Sequence, residues 1–386
     1  MNEFSSKGMQ ILNLGENVLS GELPNCWMNW KKLLILNLDN NNFAGSIPPS
    51  MGALTSLRSL HLSKSGLSGK LPSMLENCRE LVALDISENE FVGNVPIWIG
   101  EKFSKILILI LRSNKFHGHF PLELCHLTSL QILDLAYNSI SGGIPKCIKN
   151  LIAIATVSYS ADKEIIYTSS FSIPIEDASL VIKGKAVEYN TILKLVRSID
   201  LSENNFSGEI PTEITNLGAL QSLNLSHNFL IGRIPENIGA MISLESIDFS
   251  GNQFSGKIPQ SISNLTFLNH LNLSDNKLTG RIPLATQLQG FDASGFTGNE
   301  LCGSPLPWNC TVDDVPVPDY KNGEGKNGDE HEVDWPFYVG MTLGFVVGFW
   351  GVIGPLLVSL RWRCVYYHML DRLRGKLGSI VSKCCW

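Results

Sequence analysis

The sequence has little charge and few long apolar runs. Asp, Glu, Lys and Arg make up 17% of the 386 residues, against roughly 25% in a typical soluble domain. The apolar fraction is an ordinary 44%, which excludes an intrinsically disordered chain, since disorder combines high charge with few apolar residues. A polytopic membrane protein would need several long apolar runs and is excluded as well. The net charge of −6 argues against a nucleic-acid partner held by a basic surface.

Catalytic and cofactor motifs are also missing. No nucleophile elbow, zinc-protease motif or kinase catalytic loop occurs, so we expect no enzymatic activity, no cofactor and no metal. Residues 251–258 resemble a phosphate-binding loop, but the required Ser or Thr after Lys257 is absent. His117 and His119 have no third ligand in the surrounding sequence, so a metal site is not predicted there.

Glycine and proline, in contrast, recur at a fixed period. The anchor positions of the repeat are Asn17, Asn41, Ser65, Asn89, Asn114, Asn138, Asn204, Asn228, Asn252 and Asn276. Subtracting successive anchor numbers gives 24 or 25 throughout, except between Asn138 and Asn204, where it gives 66. In all ten units a glycine follows at the fourth position after the anchor and a proline at the seventh.

This period predicts an α/β repeat solenoid. Each L-x-L core indicates a short strand with alternate side chains pointing inward, and each asparagine amide can bond backbone groups of a neighbouring unit. One unit cannot bury its apolar face alone, so stacked units form a continuous core with parallel strands on a concave face. Because Ser65 replaces asparagine, we expect one weaker rung in the asparagine ladder.

The units resemble plant-type leucine-rich repeats, whose mark is the G-x-I-P segment after the asparagine. The resemblance covers about residues 9–310 and implies a right-handed superhelix with a second short sheet near G-x-I-P. It predicts repeats one to six at 1–149, an insertion at 150–191, repeats seven to ten at 192–290, and a C-terminal cap at 291–310. No signal peptide or N-terminal cap precedes Met9, so we expect an N-terminally truncated member.

The nine cysteines are odd in number and cannot all pair internally. The resemblance to a family cap implies a Cys302–Cys310 disulfide in an oxidising compartment. Cys125 and Cys147 lie in successive units and are candidates for a second disulfide. Cys26 and Cys78 are predicted to be free, buried residues.

The C-terminal part predicts a membrane anchor. Residues 311–336 hold eight acidic residues against two lysines and indicate a flexible acidic spacer. Residues 337–360 carry no charge, and a helix of this length suffices to cross a hydrocarbon core of about 30 Å. The tail at 361–386 has six Lys or Arg and one acid, which predicts that the tail is cytoplasmic and the repeats are extracellular. The sequence therefore predicts a single-pass type I protein of the plasma membrane, in contact with lipid.

Two further patterns agree with this topology. Five N-x-S/T sequons predict a glycoprotein: Asn205, Asn224, Asn264, Asn272 and Asn309. Gly340, Gly344 and Gly348 recur at every fourth position, which places them on one helix face and lets another helix approach closely. Receptor-like proteins of the plant leucine-rich-repeat family show the same glycine run, and the resemblance implies pairing with a transmembrane adaptor receptor kinase.

Polar positions beside the strand leucines predict a binding face. For a ligand, the candidates in the first block are Arg58, His61, Lys64, Asp85, Glu88, Arg112 and Tyr137. The insertion resembles the island domain of the same family, which implies a nearby docking region for a shared leucine-rich-repeat co-receptor kinase. The candidate residues for docking this co-receptor are Tyr189, Arg197, Asp200, Glu203, His227, Glu245 and His270. The mixed charge favours a peptide or protein ligand over a lipid.

These features predict a kinase-less receptor-like protein of the disease-resistance type. It resembles receptors that perceive fungal proteins such as xylanase, which implies binding of an extracellular, pathogen-derived peptide or protein. The tail at 361–386 is too short for a kinase, so signalling in defence requires an associated receptor kinase. Three alternatives stay open: a developmental peptide co-receptor, a truncated non-signalling decoy, and a soluble enzyme inhibitor similar to the leucine-rich-repeat inhibitors of polygalacturonase.

Overall fold

The computed structural model describes residues 8–156, 178–182, 185–189 and 196–310. These residues lie within the compact unit Met1–Pro316, and a second unit, Val317–Trp386, lies outside them. The predicted spacer, membrane segment and tail are therefore outside the described residues and stay predictions. Within the described part of the chain, no helix has the length and apolar character needed to cross a membrane.

Every unit contributes one short strand to a first sheet of ten parallel strands, which follow one another in chain order. Side chains alternate along each strand, so Leu36 and Leu60 point into the core and are fully buried. The strands of both sheets are numbered together along the chain. Those of the first sheet are Ile11–Asn13 (β1), Ile35–Asn37 (β3), Ser59–His61 (β5), Ala83–Asp85 (β7), Ile108–Ile110 (β9), Ile132–Asp134 (β11), Ser198–Asp200 (β15), Ser222–Asn224 (β17), Ser246–Asp248 (β19) and His270–Asn272 (β21).

The G-x-I-P side of the units forms the second sheet that the resemblance implies. It has eleven parallel strands. The repeat glycine lies in the left-handed region, with φ of 78° at Gly45 and 81° at Gly208, which a side chain at Cβ would disfavour. The strands are Ser20–Glu22 (β2), Asn42–Gly45 (β4), Gly66–Gly69 (β6), Glu90–Asn94 (β8), Lys115–His119 (β10), Ser139–Gly142 (β12), Asn205–Glu209 (β16), Phe229–Gly232 (β18), Gln253–Gly256 (β20), Lys277–Arg281 (β22) and Glu300–Cys302 (β23).

A short helical segment returns the chain from the second sheet to the first. Several of these segments begin directly after the repeat proline, as at Pro48, whose φ is −71°. Proline restricts φ to this region and has no N–H to leave unsatisfied, so it suits the start of a helical turn. The α-helical segments are Ile97–Lys102 (α1), Ile152–Ala155 (α2) and Thr286–Gln289 (α3). The 3-10 segments are Trp27–Asn29, Pro49–Ala53, Ser73–Asn77, Leu122–His126, Lys146–Asn150, Thr212–Asn216, Ile238–Ala240, Gln260–Asn264 and Ala293–Phe296.

One apolar core runs through the units from Leu23 to Leu306. Beside its leucines it contains a set of fully buried phenylalanines, among them Phe91, Phe206 and Phe254. Since each unit packs only on its neighbours, this continuous core is what holds the repeats together.

The asparagine ladder ties successive coils through their backbones. Asn228 is buried, and its Nδ2 donates to the carbonyl oxygens of Leu201, Leu225 and Ser226 at 3.0, 3.1 and 3.0 Å. Its Oδ1 accepts from the backbone N–H of Phe206 at 2.9 Å. One side chain therefore satisfies four backbone groups in two coils, as the sequence predicts.

Two rungs of the ladder depart from the simple repeat. The hydroxyl of Ser65 makes a long contact of 3.5 Å with the carbonyl oxygen of Ser63, and the predicted weak rung is confirmed. Asn299, in the cap, is an additional rung that the sequence reasoning missed. Its Oδ1 accepts from the N–H of Leu278 at 3.0 Å, and its Nδ2 donates to the carbonyl oxygen of Leu273 at 2.8 Å.

The insertion leaves the register of the first sheet unbroken. Strand β11 pairs directly with β15, and Ile132 lies opposite Ser198. Within the predicted insertion, α2 follows the sixth unit, and Ala178–Ile182 (β13) and Lys185–Tyr189 (β14) form an antiparallel hairpin. The two blocks of repeats therefore form a single sheet.

Among the described residues, one disulfide joins two successive coils and another lies within the cap. Cys125 is bonded to Cys147 in the following coil, and Cys302 is bonded to Cys310 in the cap. Cys78 is free and buried, but Cys26 is free and exposed, so its predicted burial is wrong. Cys26 belongs to the first coil, whose described neighbour is the second coil on one side.

Candidate ligand-binding face

The face of the first sheet that points away from the core corresponds to the predicted concave face, and we call it the outward face. The last residue of each strand lies on it, in register with its neighbours about 4.8 Å away. From β3 to β21 these residues are Asn37, His61, Asp85, Ile110, Asp134, Asp200, Asn224, Asp248 and Asn272. At this spacing, each of these side chains can pack against, or form hydrogen bonds and ion pairs with, the side chains of the adjacent strands.

The predicted ligand residues divide into two groups on this face. Arg58, Lys64, Glu88 and Tyr137 are exposed, as the pattern requires for contact with a ligand. His61, Asp85 and Arg112 are buried, and their predicted exposure is wrong. The reason is lateral packing: these side chains lie against residues of the adjacent coils, which a single repeat does not reveal.

The centre of the outward face is a buried ion cluster. The Arg112 guanidinium lies 3.4 Å from Oδ2 of Asp134 and 3.3 Å from Oδ2 of Asp200, and 3 to 7% of each residue is exposed. The Tyr137 ring lies over the guanidinium, 5.6 Å from its carbon to the ring centroid. With both acids ionised, one cation between two carboxylates would leave excess negative charge, which favours proton uptake by the acids.

Burial sets the protonation of these acids. Desolvation, reinforced by the neighbouring Asp200 carboxylate and opposed by Arg112, raises the pKa of Asp134 to about 8. Desolvation also raises the pKa of Asp200 against the opposing effect of Arg112. Elsewhere on the face, desolvation raises the pKa of Asp39 to about 6 although His61 lies 3.7 Å from it.

A second apolar cluster lies on the outward face. Ile108 and Ile110 flank the core residue Leu109 and therefore point to the opposite side of the sheet. The full cluster is Val82, Ala83, Leu107, Ile108, Ile110, Ile132 and Val196, all buried. Sequence reasoning missed it because an apolar residue at these positions looks like core, and only the strand register shows which face it occupies.

Three of the four exposed candidates share an unusual backbone position. Lys64, Glu88 and Tyr137 each precede a ladder position and have φ between 51° and 54°. The same conformation holds His227 and Glu203 in the second block. Left-handed backbone is disfavoured for these residue types, so the fold fixes where the side chains leave the sheet. The ladder spacing in the sequence predicts this row, because it always lies one residue before the anchor.

The predicted co-receptor residues differ in how far they are exposed. Arg197, Glu203, Glu245 and His270 are half-buried and His227 is exposed, whereas Asp200 is buried in the ion cluster. Tyr189 lies in β14, and its side chain is outside the described part of the structure. The predicted glycines at 340, 344 and 348 also lie outside the described residues.

We expect the free energy of unfolding to fall as the pH rises from 5 to 8. The folded pKa of Asp134, about 8, exceeds its ordinary value of 3.8, so its contribution to stability is complete at low pH and is lost towards the folded pKa. A pKa unit corresponds to about 1.4 kcal/mol, and because Arg112 shares the site we expect a total of about 1 to 2 kcal/mol. Denaturant titrations at both pH values measure it. Asp134→Asn should flatten the dependence, and an unchanged slope in that variant would contradict the assignment.

The two sheets, the asparagine ladder and the leucine core define a leucine-rich-repeat solenoid. A family model described as Leucine Rich Repeat matches residues 32–54, 56–78, 129–151, 195–217, 219–241, 243–265 and 267–287. The chain is 43% identical over 97% of its length to receptor-like protein EIX2 of Solanum lycopersicum and covers 37% of that protein. It is 52% identical over 51% of its length to receptor-like protein EIX1 of the same species and covers 20% of it. The chain is thus a leucine-rich-repeat protein that is similar, over nearly its whole length, to receptor-like proteins of plants.

Solved structures agree with this assignment. The crystal structure of the Arabidopsis receptor kinase HAESA, in complex with the peptide hormone IDA and the co-receptor SERK1, has a TM-score of 0.61 and 32% identity. The match covers 79% of this chain and 44% of that one. The chain thus spans less than half the length of these relatives.

Proposed function

We propose that the chain acts at the cell surface, binds an extracellular peptide or protein on the outward face, and signals in defence through an associated receptor kinase. The observation that carries this proposal is the outward face itself. Exposed side chains of both charges, at Lys64 and Glu88, stand in a row that the backbone holds in place. Buried ionic and apolar clusters support that row from within the same face.

The chemistry of the face favours a peptide or protein ligand. Lys64 Nζ lies 4.0 Å from Oε1 of Glu88, and both side chains are about half exposed. Tyr137 is exposed in the same row, two units beyond Glu88. Such exposed pairs contribute little to stability and are free to exchange partners with a ligand. An aromatic ring among charges is the composition of protein-recognition surfaces.

The ligand site can be tested by exchanging one charge pair. We expect Lys64→Glu together with Glu88→Lys to weaken binding at least about tenfold, since the exchange keeps the net charge and reverses the local potential. A purified fungal xylanase is the first probe, measured by biolayer interferometry on the immobilised chain.

A matched control uses the equivalent pair on the second sheet. Lys115 Nζ lies 3.1 Å from Oε2 of Glu90, and the two side chains are 62% and 61% exposed. Lys115→Glu with Glu90→Lys should leave binding unchanged. Equal loss in both double variants, or loss in neither, would contradict a ligand site at Lys64 and Glu88.

A second candidate ligand is an endogenous peptide. The similar HAESA structure holds a peptide hormone, and it also contains a co-receptor. By analogy, a shared co-receptor would dock near Arg197, Glu203, His227, Glu245 and His270. Binding of secreted plant peptides but of no fungal protein would favour a developmental receptor over one in defence.

The signalling partner is proposed to bind through the predicted membrane segment. We expect Gly340→Leu, Gly344→Leu and Gly348→Leu together to reduce co-precipitation with a transmembrane receptor kinase severalfold, because leucine keeps helices from close approach. Thr342→Leu and Val346→Leu, on the helix face opposite the glycines, serve as the control. Unchanged association in the glycine variant would remove this role from the glycines.

A further inference from the structure

Three exposed aromatic side chains lie outside the candidate ligand-binding face. Among the described residues, Phe229 is 54% exposed, Phe267 67% and Trp308 49%. Tyr137, at 53%, differs from them because it covers Arg112 on the outward face. Each ring keeps apolar area in contact with water, and covering that area would be favourable.

Each of these aromatics has an exposed sequon asparagine beside it. Asn264 ends a 3-10 segment shortly before Phe267, and Asn309 directly follows Trp308 in the cap. Asn205 lies in β16, the strand that pairs with the strand of Phe229. All three asparagines are exposed.

The pairing of β16 with β18 fixes the geometry at Phe229. Ser207, the hydroxyl residue of the Asn205 sequon, lies directly opposite Phe229 in the register. Phe206, between Asn205 and Ser207, and Leu230, next to Phe229, are fully buried and point into the core. Asn205, Ser207 and Phe229 alternate with these residues along their strands, so all three point to the outer side of the sheet. Asn205 is therefore two positions along and one strand across from the ring, about 8 Å away. Only the small side chain of Ser207 stands between them on that strand.

The other two sequons have the opposite character. Asn224 and Asn272 end strands of the first sheet, inside the lateral row of the outward face. The Oδ1 atoms of Asn224 and Asn272 accept from the hydroxyls of Ser226 and Ser274, both at 2.8 Å. Nδ2 of Asn272 also donates to Oδ2 of Asp248 at 3.2 Å. A sugar on Nδ2 would compete with the bonds that these amides donate, from Asn272 to Asp248 and from Asn224 to Asp200. None of the three exposed aromatics lies in this row.

We propose that Asn205, Asn264 and Asn309 carry N-linked glycans, and that the first sugar of each lies on the neighbouring aromatic ring of Phe229, Phe267 or Trp308. The inference rests on the proposed extracellular location of the repeats. In the transfer, Nδ2 of asparagine bonds to C1 of the first N-acetylglucosamine of a lipid-pyrophosphate-linked oligosaccharide. The bond from C1 to the pyrophosphate oxygen breaks, the lipid pyrophosphate leaves, and the amide loses one proton.

The sugar and the ring complement each other physically. One face of N-acetylglucosamine presents C–H groups, which pack on the electron-rich face of an aromatic ring and remove its apolar area from water. The glycans then cover the exposed aromatics of the second sheet, the last repeat and the cap. Because Asn224 and Asn272 stay unmodified, the outward face remains open to a ligand.

The full chain, expressed in plant cells and purified in detergent, tests both which asparagines carry glycans and whether the first sugar lies on the ring. Peptide mass spectrometry should find glycans on Asn205, Asn264 and Asn309 and none on Asn224 or Asn272. Thermal unfolding should then show that Asn205→Gln lowers the Tm by about 2 to 4 °C. In a Phe229→Ala background the same change should lower the Tm by less than about 1 °C, since the ring that the sugar covers is gone.

Matched variants separate stacking from general effects on β18. Ile231 is on the same strand and face and is 45% exposed, but it lies farther from Asn205. In an Ile231→Ala background, Asn205→Gln should still lower the Tm by about 2 to 4 °C. Phe229→Tyr keeps the ring and should keep the full effect.

Two results would overturn the proposal while leaving the cell-surface location standing. One is an unmodified Asn205 in a chain whose Asn264 and Asn309 carry glycans. The other is an equal Tm loss from Asn205→Gln in the wild-type and Phe229→Ala backgrounds. A chain without glycan at any sequon would instead refute the extracellular location, and the inference with it.

Discussion

Replacing Arg112 by methionine should lower the free energy of unfolding by about 3 to 5 kcal/mol. The guanidinium is the cation placed between the carboxylates of Asp134 and Asp200, at 3.4 and 3.3 Å, and all three residues are buried. Without it, each carboxylate that is ionised stays unpaired in a site of low polarity. Methionine fills much of the volume, so the loss reports on charge and on the contact with Tyr137.

The measurement is a denaturant titration of the purified chain at pH 8 and pH 5. The loss should be larger at pH 8, because at pH 5 the two acids can take up protons and become neutral. Adding Asp134→Asn and Asp200→Asn should restore most of the stability, since it removes the unpaired charges. Arg58→Met, at an exposed arginine of the same face, should change stability by less than about 0.5 kcal/mol. A loss below about 1 kcal/mol in Arg112→Met would mean that the acids are already neutral in the native protein.

Replacing Asn228 by alanine should lower the free energy of unfolding by about 3 kcal/mol or more. The variant leaves the N–H of Phe206 and the carbonyl oxygens of Leu201 and Leu225 without the partners that Asn228 provides. Water cannot replace the amide where the surroundings are buried, so each unsatisfied group contributes to the loss. Thermal unfolding followed by tryptophan fluorescence measures the effect.

The ladder offers two comparisons at equivalent positions. Asn17 has the same place in the first coil but is exposed, and its amide bonds only to Leu14 and Gly15 among the described residues. Asn17→Ala should therefore cost less than about 0.5 kcal/mol. At Ser65, where the rung is weak, Ser65→Asn should gain about 1 kcal/mol. A similar loss at Asn17 and Asn228 would show that the ladder bonds do not determine the stability.

Local periodicity was enough to predict the architecture. Each unit carries its own leucines, asparagine, glycine and proline, and these decide the strand, the turn and the ladder within a single repeat. The second sheet followed from the family resemblance rather than from the residues. The rung at Asn299 was missed because the cap keeps the asparagine but has no proline at the seventh position after it to mark a further unit.

The candidate face was harder to predict because its contacts join different coils. Arg112 and Asp200 are far apart in sequence and meet only because β11 pairs with β15 across the insertion. A polar residue beside a strand leucine looks exposed in any single unit. Whether it is exposed, like Lys64, or buried, like Asp85, depends on the side chains that the adjacent coils supply.

The unbroken register between β11 and β15 has a consequence for how this chain can change. The connection between the anchors Asn138 and Asn204 is nearly three times as long as in an ordinary unit. Loop-closure entropy grows only with the logarithm of length, so the longer connection costs only about 1 kcal/mol. Only the start of the connection is tied to the scaffold: Ile154 of α2 lies in the core, and its carbonyl oxygen accepts from the N–H of Ala219. Residues after α2 can therefore vary in number at low entropic cost, which makes this junction a place where new recognition can evolve without rebuilding the scaffold.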